Sequence, residues 1–316
     1  MRGKKIDAIG ETDSEAKVAI LVPCFNEEAT IASVVTAFKL LLPGATIYVY
    51  DNNSRDRTAE IARASGAVVK SEHRQGKGNV IRRMFSDIDA DVYIMVDGDA
   101  TYDPGIAPTM VAEIVTNQLD FVNVRRVETA TDAYRPGHAF GNRILTSVVS
   151  AVFGNHFEDM LSGYKAFSRR FVKSFPAIST GFEIETEIVI HALELRAPGK
   201  ELAAPYGSRP AGSISKLNTL RDGWRILRVI GRIILEERPM TVSLIISALL
   251  LIAATLLGLP LFITFLKTGL VERIPTAIIV SGLGISAALA VVTGGILHFV
   301  TISRREMKRL FYLKAS

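Results

Sequence analysis

Only one cysteine, Cys24, occurs in 316 residues. No intrachain disulfide can form, which fits a reducing compartment. An apolar run is missing from Met1 to Ala16, so this polar, charged segment reads as a flexible tail and not as a secretory signal. Internal repeats, low-complexity linkers and RNA- or DNA-binding signatures are absent as well. The net charge of +5 therefore suits anionic lipid or phosphate better than nucleic acid. Charge itself is missing from Thr241 to Leu266 and, apart from His298, from Pro275 to Ser303. Each stretch exceeds the ~20 apolar residues that cross a bilayer, whereas helices in a soluble core have shorter apolar runs and periodic polarity.

These two stretches predict a transmembrane hairpin over 239–303, with Lys267 to Ile274 as its turn. Arg238 precedes it, and Arg304, Arg305, Lys308 and Arg309 follow it in a basic tail, 304–316. These outnumber Lys267 and Arg273 in the turn, so the large domain and both termini are expected on the cytoplasmic side of the inner membrane. Two segments carry the pattern of a helix lying in the headgroup layer. In one, Phe140 to Val152, apolar residues recur at helical spacing; in the other, 219–238, Arg221, Arg225, Arg228 and Arg232 form a stripe opposite Ile226, Leu227, Ile230, Ile233 and Ile234. A surface helix packed on the domain is the alternative for both. Trp224 would anchor at the interface.

From Val18 to Val124, apolar runs alternate with helical stretches. Val18 to Val22, Thr46 to Tyr50, Val68 to Lys70, Val92 to Val96 and Phe121 to Val124 read as strands. Helices are expected near Ile31 to Leu41, Thr58 to Ser65, Gly78 to Asp87 and Ile106 to Thr116. Such alternation gives βαβ units, hence an α/β, Rossmann-like, mainly parallel sheet over 17–218.

The fourth apolar run ends in Asp97-Gly-Asp99. Ligands of open α/β sheets lie beyond the carboxyl ends of the strands, so both carboxylates stand where a ligand would be. Paired hard oxygens suit Mg²⁺ or Mn²⁺ and, with them, a nucleotide diphosphate. Gly98 is read as sparing the ion a side chain. The first strand leads into Val22-Pro-Cys-Phe-Asn-Glu-Glu28, and the second into Asp51-Asn-Asn-Ser54. Glu27 and Asp51 are candidates to accept from base or ribose. His73-Arg-Gln-Gly-Lys-Gly78, before a helix, offers a phosphate two glycines and the charge of Lys77.

Together with Pro23, Asn26 and Glu27, these motifs resemble the inverting GT-A glycosyltransferases of family 2. Glu158-Asp-Met-Leu-Ser-Gly-Tyr-Lys165 and Arg209-Pro-Ala-Gly-Ser-Ile-Ser-Lys-Leu217 are similar to the polyprenyl-phosphate branch, which includes dolichol-phosphate mannosyltransferase and bacterial undecaprenyl-phosphate glucosyltransferases. The resemblance covers roughly Val18 to Arg238. It implies that Pro23, Cys24, Asn26, Glu27, Asp51, Asn53, Lys77 and Asp97 hold the donor, and that Asp97 and Asp99 hold Mg²⁺ or Mn²⁺. Asp159 would lie near the sugar, while Ser162, Lys165, Arg209, Ser215 and Lys216 would meet the acceptor phosphate; Arg126 and Arg135, flanking the apolar Phe140 segment, are read as steering that anionic head toward them. Asn52 stands where relatives often have Asp, Cys24 where they have an aromatic, and Lys165 where they often have Arg.

The resemblance implies inverting transfer of a hexose, from UDP-glucose first and GDP-mannose second, to undecaprenyl or another polyprenyl phosphate. The implied partners are the nucleotide-diphosphate sugar, the polyprenyl phosphate and the lipid bilayer; a homo-oligomer stays open, and nucleic acid is not among them. A phosphate acceptor, with its second pKa near ~6, needs no general base, so Asp159 is expected to orient more than to abstract a proton. Two alternatives differ in class. A processive polysaccharide synthase would need a motif resembling Gln-x-x-Arg-Trp and more membrane helices; a catalytically silent nucleotide-binding membrane adaptor would not need Asp97, Asp99 and Asp159.

Overall fold

A computed structural model describes residues 16–128, 144, 146–151, 153–154, 157–207, 228–229 and 231–315. The alternating segments become β1 (Val18–Cys24), α1 (Ile31–Leu41), β2 (Thr46–Asp51), α2 (Thr58–Ala64), β3 (Val68–Ser71), α3 (Lys77–Asp87) and β4 (Val92–Met95). A 3-10 turn at Pro104–Ile106, started by Asp103 accepting from the Gly105 N–H at 2.8 Å, leads into α4 (Ala107–Val115). Then follow β5 (Phe121–Glu128), β6 (Lys165–Ser168), α5 (Arg169–Ser174), α6 (Ile184–Leu195), β7 (Gly199–Tyr206), α7 (Pro239–Thr268) and α8 (Ile274–Lys314).

The seven strands form one sheet in the order β3-β2-β1-β4-β6-β5-β7. All pairs are parallel except those that β6 makes with β4 and β5. The mainly parallel sheet is as expected, but β6 and β7 extend it beyond the five foreseen strands. Both hid from pattern reading: Lys-Ala-Phe-Ser is only four residues long, and Gly-Lys-Glu-Leu-Ala-Ala-Pro-Tyr has few β-branched or aromatic residues.

Both faces of the sheet are covered, as the run Ala19-Ile-Leu-Val22, buried at every position, requires. Ala19, Leu21, Tyr93 and Phe167 pack with α3, α5 and α6 on one face; Ile20, Val22, Ile94 and Ala166 pack with α1 and α4 on the other. The reversal at β6 matters for function. Being antiparallel, it starts at the edge where its parallel neighbours end, so Lys165 pairs with Met95 and with Asn123. The segment before Lys165 is thereby carried to the end of β4.

α7 and α8 are each long and apolar enough to cross a membrane. The basic segment expected as a tail after residue 303 instead continues α8 in helix to Lys314 and packs on the domain. Acidic partners hold it there. Lys308 bonds Glu194 at 2.5 Å, Arg305 bonds Glu237 at 2.5 Å, Arg304 bonds Glu236 at 3.0 Å and also Glu237, and Tyr312 donates to Asp120.

Of the segment 219–238, residues 228–229 and 231–237 are described and helical. Ile233 is buried and Val229 packs on the domain's core, while Leu235 is exposed. For these two residues the packing matches the alternative of a helix lying on the domain. Val149, in the other apolar segment, is buried in that same core.

Candidate active site

Parallel strands bring the ends of β1, β2 and β4 to one edge of the sheet. Asp51 closes β2 beside Cys24, its register partner on β1. Its Oδ2 accepts from the Ser54 N–H at 3.2 Å. Its Oδ1 is buried with no hydrogen-bond partner. A buried carboxylate oxygen without a donor is costly, and it fits a ligand N–H or hydroxyl. Asn26 and Asn53 both take left-handed backbone, at φ 53° and 62°, which asparagine tolerates well. Asn26 Oδ1 accepts from the Arg55 N–H at 2.8 Å, and the Glu27 N–H donates to Thr58 at 2.8 Å, so the two loops lock together.

The amide at position 52 has a mechanical role. Asn52 Nδ2 donates to the carbonyls of Glu72 (2.8 Å) and Arg74 (2.9 Å), and its Oδ1 accepts from the Gly76 N–H at 2.7 Å. Asn53 Nδ2 donates to the His73 carbonyl at 2.9 Å. A carboxylate at 52 could not make the two donations. The glycines of this loop have a steric reason that the sequence reading did not foresee. A Cβ at Gly76 or Gly78 would collide with the Thr180 or Ser179 carbonyl, so both admit the protein's own backbone, sealed by Gly78 N–H donating to Thr180 at 3.1 Å. Gly98 likewise makes room for the protein itself, since a Cβ there would lie 2.7 Å from Cys24 Sγ.

Lys77 opens α3 and points to the end of β4. Its Nζ lies 2.5 Å from Asp97 Oδ1 and 2.5 Å from Glu185 Oε1. Burial alone would lower the lysine pKa, but the two carboxylates outweigh it and hold the ammonium above its ordinary range. Burial pushes Glu185 upward, with repulsion from Asp97 adding to it and Lys77 opposing. Asp97 is the most open of the three, its side chain 29% exposed against 7% and 9%. A Cβ at Gly163 would run into its carboxylate, and Gly163 is fixed by donating to the Tyr102 hydroxyl at 2.7 Å. Asp99 is buried, and its Oδ1 accepts from Thr101 Oγ1 at 2.6 Å.

Asp159 is gripped by Arg126 through a fork, Nε at 2.7 Å and Nη2 at 2.8 Å. Burial would raise this carboxyl, but the guanidinium holds it below the usual range. The Arg126 guanidinium also lies over Tyr206, 5.4 Å from the ring centre. Lys165 and Ser162 are fully buried. Lys165 donates to Asn123 Oδ1 at 2.5 Å, and burial lowers it to about 8 even though Glu185 and Asp159 oppose the shift. Asn123 in turn donates to the Asp159 carbonyl and to Glu201, at 2.8 and 2.7 Å.

Three groups of this network, Glu185, Asn123 and Glu201, escaped the sequence reading. Glu185 and Glu201 lie in segments without a motif, and Asn123 sits inside a strand; the order of the sheet brings in Asn123 and Glu201, and the packing of α6 beside Lys77 brings in Glu185. Of the residues read as meeting or steering the acceptor phosphate, Arg135, Arg209, Ser215 and Lys216 lie outside the described residues, as does Trp224. Among the described residues no group of three or more His, Cys, Asp or Glu side chains could hold a metal. Asp97 and Asp99 still fit an ion that takes one or two carboxylates and completes its shell with phosphate oxygens and water.

The glycosyl transferase family 2 model matches residues 19–175. Glycosyltransferase AglJ of Haloferax volcanii is 31% identical over 93% of this chain and 97% of its own length. The dolichyl-phosphate hexose transferase of that organism is 27% identical over 70% of this chain and 95% of its own. The chain belongs to glycosyltransferase family 2 and is a glycosyltransferase. Its fold is that of the glucosyl-3-phosphoglycerate synthase of Mycobacterium tuberculosis, solved with Mn²⁺, UDP and glucosyl-3-phosphoglycerate. That structure aligns with a TM-score of 0.58 and 23% identity, over 70% of this chain and 80% of the other.

Proposed function

We propose that the protein transfers a hexose, with inversion, from a nucleotide-diphosphate sugar to undecaprenyl or another polyprenyl phosphate at the cytoplasmic face of the membrane. UDP-glucose is the first donor and GDP-mannose the second. The observation that carries this reading is one sheet edge holding the bare Oδ1 of Asp51 and the partly open Asp97, in a chain with two membrane-length helices.

Asp51 accepts from the donor's base or ribose, with Pro23, Cys24, Asn26, Glu27 and Asn53 shaping that end of the cleft. Asp97 and Asp99 would hold Mg²⁺ or Mn²⁺, which when bound would supply, as a Lewis acid, stabilisation of charge on the departing nucleoside diphosphate. Lys77 adds a positive charge beside the diphosphate. Asp159, ionised at neutral pH and fixed by Arg126, orients sugar or acceptor and removes no proton, because a phosphate monoester is already ionised. Arg126, Arg135, Arg209, Ser215 and Lys216 meet the acceptor phosphate, with Ser162 and Lys165 supporting from below. The relative named for dolichyl phosphate supports a lipid-phosphate acceptor, and the synthase solved with Mn²⁺ and UDP supports the donor class.

Purified protein given labelled UDP-glucose or GDP-mannose, polyprenyl phosphate and Mg²⁺ or Mn²⁺ is expected to form a lipid-linked sugar, and to stop when the metal is chelated. Transfer to a free sugar or a protein in preference to the lipid phosphate would defeat the reading. Sidedness follows from the basic flanks of the hairpin: in the Leu270→Cys variant the new thiol is expected to react with a membrane-impermeant reagent from outside the cell.

A further inference from the structure

Lys77 is shared by two carboxylates that differ in what surrounds them. Asp97 is partly open, its side chain 29% exposed, whereas Glu185 is packed behind Lys77, its side chain only 9% exposed. Glu185 stands in the first turn of α6. The loop before that helix is folded back by Glu187, which accepts from the Ile178 and Ser179 N–H groups at 2.8 Å each, and is tied to α3 by Arg82, which donates to the Ala177 carbonyl at 2.7 Å. The same loop presses on Gly76 and Gly78 on either side of Lys77. One rigid contact therefore fixes both the base of Lys77 and its rear partner.

Resting on the family 2 reading above, we propose that Glu185 is a positioning residue: it holds the Lys77 ammonium so that Lys77 can release Asp97 and turn to the donor's diphosphate. An ammonium has three donors on a flexible stem and can exchange one partner while keeping another. With a divalent ion bound at Asp97, the Lys77 ammonium would leave that carboxylate, and Glu185 would keep it within reach of the diphosphate oxygens. Without the Glu185 charge, Lys77 has only Asp97 to pair with and competes with the metal there.

Titration of the full-length protein in detergent with UDP and with GDP, each in Mn²⁺, tests this. The Glu185→Gln change is expected to weaken Mn²⁺-dependent nucleotide binding about tenfold. It should have less than about twofold effect once Lys77→Ala is present. Glu185→Asp, which keeps the charge but shortens the reach, is expected to fall between and decides the matter if Glu185→Gln does not fold. Equal losses with and without Lys77, or wild-type binding in Glu185→Gln, would overturn the proposal while leaving the functional reading intact. Failure of the unaltered protein to bind either nucleotide would overturn both.

Discussion

Asp159 accepts three hydrogen bonds from Arg126, two from the guanidinium and one from the backbone N–H at 3.2 Å. A carboxylate held this way below its ordinary range is a poor proton acceptor near neutral pH. Asp159→Asn is expected to cut turnover about 100-fold, on the scale of one electrostatic contact in an active site. The pH-rate profile should keep both its limbs; a limb lost with the carboxylate would make Asp159 a base. Lys165 gives the opposite pH signature. Lowered to about 8, it is charged below that pH and neutral above it. With that charge beside Asp159 and Glu185, kcat/KM is expected to fall as pH rises through about 8, and Lys165→Arg, which stays charged, to abolish that fall. For stability the sign is reversed: between about 8 and the ordinary 10.5 the unfolded chain binds more protons, so the burial penalty is relieved as pH rises.

At the scale of elements, the loop between β3 and α3 hangs on one side chain. Asn52 is buried and supplies donors to two carbonyls that have to cross to the β2 end. Asn52→Asp keeps the shape but removes both donors, and should cost about 1 to 3 kcal/mol, measurable as a lowered Tm. Unchanged stability would mean that water replaces the amide. Sequence motifs located this loop but gave no sign of what its glycines pack against. Gly76 and Gly78 yield to the loop before α6, a segment about 100 residues downstream, and no local pattern reports such an approach.

Across the whole molecule, α6 joins two charged clusters, with Glu185 beside Lys77 at one end and Glu194 under α8 at the other. Glu194 is nearly inaccessible, 2% exposed, and apart from Lys308 its cationic neighbour is Arg304 at 3.6 Å. Lys308→Ala should destabilise the protein by about 3 kcal/mol, because it strands a buried charge. The paired change Lys308→Met with Glu194→Leu should recover most of that loss in thermal unfolding. If the single variant unfolds at the wild-type temperature, the docked end of α8 contributes nothing to stability.

Periodicity and uncharged length by themselves determined the alternating elements, the parallel core of the sheet and two helices of membrane length, because these follow from spacing along the chain. They also placed Asp51 and Asp97 at strand ends, because strand ends are local features, whereas Asp159 stood out only through its resemblance motif. Tertiary structure alone decided that β6 runs against its neighbours, that Lys165 is buried, and that Glu185 shares Lys77 with Asp97. It also decided that the basic end of α8 is docked on the domain. Each of these depends on which distant segment lies alongside, and burial, ion pairing and pKa are properties of that neighbourhood, which the chain acquires on folding.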